Sequence, residues 1–196
     1  MSYFTYSFFR DVSLDQLKAK VEANLALYEL SSEGAQVKVY GFQGDGCAVL
    51  LMGTQLREEM ILRPVGFQLG CIWMDVRYQS GASWELTIMK GTEHLVSHYV
   101  NPWAYEERVE YNQERIDYRI NRVCELWPRQ GDVLRPYLLP WRVPVTKFGR
   151  TRFIRREGKA YETNRFNYGD AHQIYDFIHH FGIDEQSPHI EIGRNT

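Results

Sequence analysis

The chain has 196 residues, of which 44% are hydrophobic, 14% aromatic and 24% charged. At about 150 residues per domain one domain is expected, and a chain of this size hides roughly 70% of its extended-chain surface. That composition excludes a disordered tail, a collagen-like chain and a coiled-coil rod, and a net charge of −2 argues against wholesale coating of nucleic acid.

In chain order, Tyr3 to Phe9 reads as a strand, aromatic and rich in Ser/Thr. Ser13 and Gln16 form an S-x-x-Q capping box that opens a helix with Leu14, Leu17, Val21, Leu25 and Tyr28 on one face, and Gly34 stops it. Val37–Tyr40 and Ala48–Leu51 read as strands joined by the turn Gly41 to Gly46. A third run, Met60 to Arg63, reads as a strand ended by Pro64. The clearest hairpin pairs Cys71–Tyr78 with Trp84–Met89, and His94–Val100 adds a further strand.

From Tyr105 to Trp127 the period lengthens to 3.6, with Tyr105, Val109, Asn112, Ile116, Ile120, Val123 and Trp127 in one stripe of the longest helix. Four of the seven prolines follow (Pro128, Pro136, Pro140, Pro144), which makes 128–145 an irregular connector. Phe153-Ile154 and Ala160-Tyr161 suggest a hairpin around Glu157-Gly158. A last helix, capped by Asp170 and Gln173, buries Ile174, Phe177, Ile178 and Phe181 and stops at Gly182, and residues 184–196 read as a loose polar tail. The whole predicts an α+β fold: a mainly antiparallel sheet with about three helices packed on it, in a single domain spanning 1–196.

Cys47, Cys71 and Cys124 are odd in number and widely spaced, which points to a reducing cytoplasm and away from a disulfide framework, a zinc site or a redox pair. The longest apolar run, Cys47 to Met52, is far short of the roughly 20 residues that cross a bilayer. No basic residue precedes Arg10, so no signal peptide is expected. The expectation is a cytoplasmic chain with no membrane contact and no cofactor.

Chemistry-bearing motifs are sparse. Gly41, Gly44 and Gly46 precede a strand instead of a helix and lack the Lys-Ser/Thr of a phosphate loop. His94 and His98 lie on a strand, where positions four apart are separated by about 13 Å, too far for one ion. His172, Asp176 and His179 share the polar face of the last helix at a metal-compatible spacing, without a fourth ligand. Asp75 and Glu85 sit across the predicted hairpin, able to line a pocket with His94 or simply to face water.

Charge layout is the sharpest signal. At 100° per residue, Glu107, Glu110, Glu114 and Asp117 fall on one flank of the long helix, and Arg108, Arg115, Arg119 and Arg122 on the other. Like charges three and four apart each cost about 0.2–0.5 kcal/mol, so partners outside the helix are expected. The segment Trp141 to Phe166 carries eight Lys/Arg, including Arg150, Arg152, Arg155 and Arg156, against Glu157 and Glu162; its net +6 leaves −8 on the remainder. It would serve to pair with the acidic flank or, with its interleaved aromatics, to contact a nucleic-acid strand, although the acidic remainder makes nucleic acid the weaker partner. These observations favour a non-catalytic protein-binding module, of inhibitor or immunity type, docking a basic partner on Glu107, Glu110, Glu114 and Asp117. An enzyme with a pocket on the sheet near Asp75, Glu85 and His94 is the alternative, and nucleic-acid contact through 142–165 the third reading.

Overall fold

A computed structural model of the chain describes residues 3–27, 36–42, 46–52, 56–79, 83–100, 112–128, 131–170, 172–184 and 186–192. In order these form β1 (Tyr3–Arg10), α1 (Leu14–Leu27), β2 (Gln36–Phe42), β3 (Gly46–Met52), α2 (Leu56–Leu69), β4 (Ile72–Gln79), β5 (Ser83–Lys90) and β6 (Glu93–Tyr99). There follow α3 (Gln113–Leu126), the single turn α4 (Gly131–Leu134), a 3-10 turn (Arg135–Leu138), β7 (Arg142–Lys147), β8 (Arg150–Arg155), α5 (Gln173–His179) and β9 (His189–Ile192). The fold is α+β.

Seven strands form one antiparallel sheet in the order β6-β5-β4-β1-β3-β2-β9. Its centre is a split β-α-β arrangement in which β3 lies between β1 and β2, and β1 between β3 and β4. Side-chain alternation gives the sheet two buried faces. Phe9, Val39, Val49 and Trp73 meet Leu17 and Val21 of α1 and Ile61, Leu62 and Val65 of α2. Phe8, Leu50, Met74, Trp84 and Leu86 meet Ile120, Val123, Tyr137, Ile174, Phe177 and Phe181. The layer on this second face comes from the C-terminal half of the chain, whereas every strand of the sheet except β9 comes from the N-terminal part.

Several local expectations hold for local reasons. The Ser13 capping box closes in both directions, with the Gln16 amide donating to Ser13 Oγ at 3.3 Å and the Ser13 amide to Gln16 Oε1 at 3.2 Å. The β4–β5 hairpin pairs Gln79 with Ser83. Gly182 takes φ 70°, the left-handed geometry that ends a helix, after Ile174, Phe177, Ile178 and Phe181 are buried as the pattern required.

Others are overturned. Residues 60–63 are helical, within α2, and Pro64 lies inside that helix. Its missing N–H costs about 3 kcal/mol locally, which burial of Ile61, Leu62 and Val65 outweighs. Gly66 belongs there because a Cβ would stand 2.3 Å from Trp73 Nε1. Asn112 is not part of an apolar stripe: at φ −120° and ψ 102° it is the N-cap of α3, accepting from the Arg115 amide at 2.8 Å. Residues 101–111 lie outside the described residues, as do Tyr28 and Gly34.

The hairpin expected around Glu157-Gly158 instead turns at Phe148-Gly149 and pairs β7 with β8 in a separate two-stranded sheet. Both turn residues have positive φ (53° and 71°), as a two-residue turn matching strand twist requires. The 128–145 connector is more ordered than its prolines suggested, holding α4, the 3-10 turn and the start of β7. Nor is the whole of 184–196 a loose tail, because β9 pairs with β2 through Val37–Ile192 and Val39–Ile190.

Candidate functional site

Two polar rows cross the α1/α2 face of the sheet. Cross-strand register aligns Ser7, Asp75, Thr87 and Ser97 in one row, and Thr5, Arg77, Glu85 and Tyr99 in the next. Arg77 lies between two carboxylates, 3.5 Å from Asp75 and 3.3 Å from Glu85. The three side chains retain only 16%, 3% and 11% of their exposure, for Arg77, Asp75 and Glu85 respectively.

Ser7 Oγ donates to Asp75, and Tyr99 bonds to Glu85. Burial first, and then the Glu85 charge, raises the Tyr99 pKa. On the outer strands Thr87 Oγ1 and Ser97 Oγ are 3.0 Å apart, and His94 Nε2 is 2.8 Å from Ser97 Oγ. The structure thus gathers Asp75 and Glu85 around one arginine, while His94 belongs to a separate hydroxyl chain at the outer strand. Thr5, Ser7 and Arg77 were not anticipated, although Thr5-x-Ser7, Asp75-x-Arg77, Glu85-x-Thr87 and Ser97-x-Tyr99 repeat polar residues at the strand period.

On the opposite face, His98 is fully buried with Nε2 2.6 Å from the Leu138 carbonyl. Burial lowers its pKa to about 4. Nearby, Asn164 Nδ2 donates to the Tyr137 hydroxyl, which also lies 2.7 Å from His180 Nε2. Asp176 accepts the amides of Arg165 at 3.2 Å and Phe166 at 2.9 Å.

Asp176 is therefore turned inward to pin a loop, and His172 precedes α5 with its amide on Asp170 at 2.9 Å. The expected His172–Asp176–His179 array does not share a solvent face. Gln173 also leaves the expected cap, accepting from Trp141 Nε1 at 3.0 Å. Cys47, Cys71 and Cys124 are thiols, and burial raises all three pKa values, Cys47 and Cys71 to about 11. None carries the thiolate that nucleophilic chemistry at neutral pH requires.

Of the acidic flank, Glu114 and Asp117 project from α3 and are exposed, with Gln113 Nε2 donating to Asp117 at 2.6 Å. Glu107 and Glu110 lie outside the described residues. Tyr118, 65% exposed and about 160° around the helix from Ile120, stands between Glu114 and Arg122, each about 40° away. Ile120 and Val123 anchor the opposite side of α3 to the sheet.

The basic segment divides in two. Arg155 Nε donates to the Tyr168 carbonyl at 2.9 Å, and Arg156 Nε to the Pro140 carbonyl at 3.0 Å, with its guanidinium over the Tyr168 ring. Both tie the hairpin base to the body. Arg150 and Arg152, with Arg142 and Lys147, are exposed and make no ion pair among the described residues. Phe148 at the tip is 94% exposed, and Val145, Phe153 and Ile154 are exposed along the strands. No family model, curated protein or solved structure matches the chain.

Proposed function

We propose that this chain is a non-catalytic protein-binding module, of inhibitor or immunity type, that docks a basic protein partner on the exposed side of α3. The observation that supports it is Tyr118 standing exposed beside Glu114 and Asp117, neither carboxylate paired with a cation among the described residues. An aromatic rim with uncompensated carboxylates suits a basic partner: the ring supplies a contact anchor, and the charges speed encounter and reject wrong partners.

The test is affinity capture from native host extract, comparing wild type with Glu114→Lys/Asp117→Lys. The reversed bait is expected to lose a basic partner while its Tm stays near wild type, since exposed charges contribute only about 0–1 kcal/mol to stability. Unchanged capture refutes the flank as the docking surface.

A second reading, an enzyme drawing on the sheet, is favoured by the 2.8 Å separation of His94 Nε2 and Ser97 Oγ, the reach of a base to a hydroxyl nucleophile. A fluorophosphonate probe should then label wild type and fail on Ser97→Ala. An unlabelled wild type rejects it.

A further inference from the structure

Phe148 occupies a position that neither folding nor solubility favours. Its φ of 53° is a left-handed conformation where a bulky residue is strained and Asn is preferred, yet its ring is 94% exposed. Lys147 and Arg150 face each other directly behind it, and Arg152 lies on the same side of the ribbon, opposite Val145. Backbone strain retained at an exposed aromatic points to a contact made in another state of the molecule.

An exposed aromatic beside carboxylates stands on α3 as well: Tyr118 has Glu114 and Asp117 on one side, about 40° and 100° around the helix, and on the other Arg115, about 60° away, and Arg122, about 40° away and paired with Glu125 at 3.2 Å. Within one chain the two surfaces do not satisfy each other: among the described residues, none of Lys147, Arg150 and Arg152 pairs with Glu114 or Asp117. Six residues of strand extend about 20 Å, so the hairpin tip reaches well beyond its base.

We propose that the β7–β8 hairpin of one copy docks on the α3 flank of a second copy of this chain, Phe148 packing on Tyr118 and Lys147, Arg150 and Arg152 meeting Glu114 and Asp117. This rests on the reading of that flank as a docking surface, and the basic surface it takes is the hairpin segment of a second copy, net +6 over 141–166, although the chain as a whole is net −2. The sign of the charge selects the partner. Segment 141–166 is net +6 and the remainder −8, so a phosphate-bearing polymer or bilayer attracted to the hairpin is repelled by the rest of the protein, whereas a second copy presents both signs. Reciprocal exchange about a two-fold axis makes the contact twice.

Sedimentation equilibrium of the pure chain across about 1 to 300 µM, the range in which a small interface dissociates, tests this directly. Wild type is expected to associate reversibly, and more weakly as salt rises from about 50 to 500 mM, because screening shortens the reach of exposed charges. Arg150→Glu/Arg152→Glu and Glu114→Lys/Asp117→Lys should each weaken association at least about tenfold, and their equimolar mixture should restore it by swapped charges. Phe148→Asn should abolish association while keeping or raising Tm, since Asn-Gly suits this turn better.

A wild type that stays monomeric, association that survives either reversal, or a mixture that stays monomeric overturns the proposal. Monomeric wild type whose flank reversal still abolishes capture of a basic protein refutes self-docking and leaves the function reading standing. If capture too is unaffected, both fail. Hairpin-dependent binding of duplex DNA by a monomer assigns the hairpin to nucleic acid instead, and equally overturns self-docking.

Discussion

His98 makes the fold sensitive to mild acid in a way that can be measured. Its ring is fully buried, bonded to the Leu138 carbonyl at 2.6 Å, and Arg119 is the charged group that bears on it. Burial first, then the Arg119 charge, disfavours the imidazolium, while the carbonyl bond favours it in part; the balance lowers the pKa from 6.5 to about 4. Above pH 6.5 the residue is neutral in folded and unfolded chains and contributes no pH dependence. Between 6.5 and about 4 the unfolded chain takes the proton first, so stability falls, and below about 4 both states are protonated and the loss is complete.

A drop of that size corresponds to about 3 kcal/mol at about 1.4 kcal/mol per pH unit. For a chain of this length it shifts Tm by about 6–12 °C. The assay is thermal unfolding from pH 7.5 to 4 of wild type and His98→Gln, which keeps an N–H for Leu138 but does not titrate. Each protein is compared with itself at pH 7.5, so the baseline cost of the substitution cancels. Wild type should lose about 6–12 °C more than the variant. Parallel pH profiles refute the account of a neutral, desolvated His98.

Arg77→Met should cost about 3–5 kcal/mol in chemical denaturation, because it removes a buried cation that both Asp75 and Glu85 face; adding Asp75→Asn and Glu85→Gln should recover part of the loss, and an unchanged midpoint would refute the account. Gly66→Ala should destabilise by about 1–3 kcal/mol, since the new methyl stands 2.3 Å from Trp73 Nε1; Trp73→Phe in the same chain should relieve it. Asn112→Ala should cost about 1 kcal/mol by removing the cap of α3, with Asn112→Asp near wild type in the same urea titration.

What the sequence alone decided is local. The Ser13–Gln16 box, the alternation of β1, the β4–β5 hairpin and the 3.6 period of Ile174, Phe177, Ile178 and Phe181 each follow from residues within a few positions of one another, where backbone dihedrals and nearest-neighbour hydrogen bonds dominate. The α+β class was legible on the same grounds. Tertiary structure decided the rest.

Helix α2 forms through Pro64 because the Trp73 face rewards burial of Ile61, Leu62 and Val65 more than the proline costs. The hairpin turns at Phe148-Gly149, against the preference of a bulky residue for negative φ. Above all, Thr5, Ser7, Asp75, Arg77 and Glu85 come from three strands, and only cross-strand register puts a single arginine between two carboxylates. Register there is set between strands far apart in sequence, 68 residues for Ser7 and Asp75, and an offset of one residue moves every side chain to the other face. Charge could be counted from composition, but whether opposite signs meet within one chain or between two depends on where the hairpin and α3 are placed by that sheet.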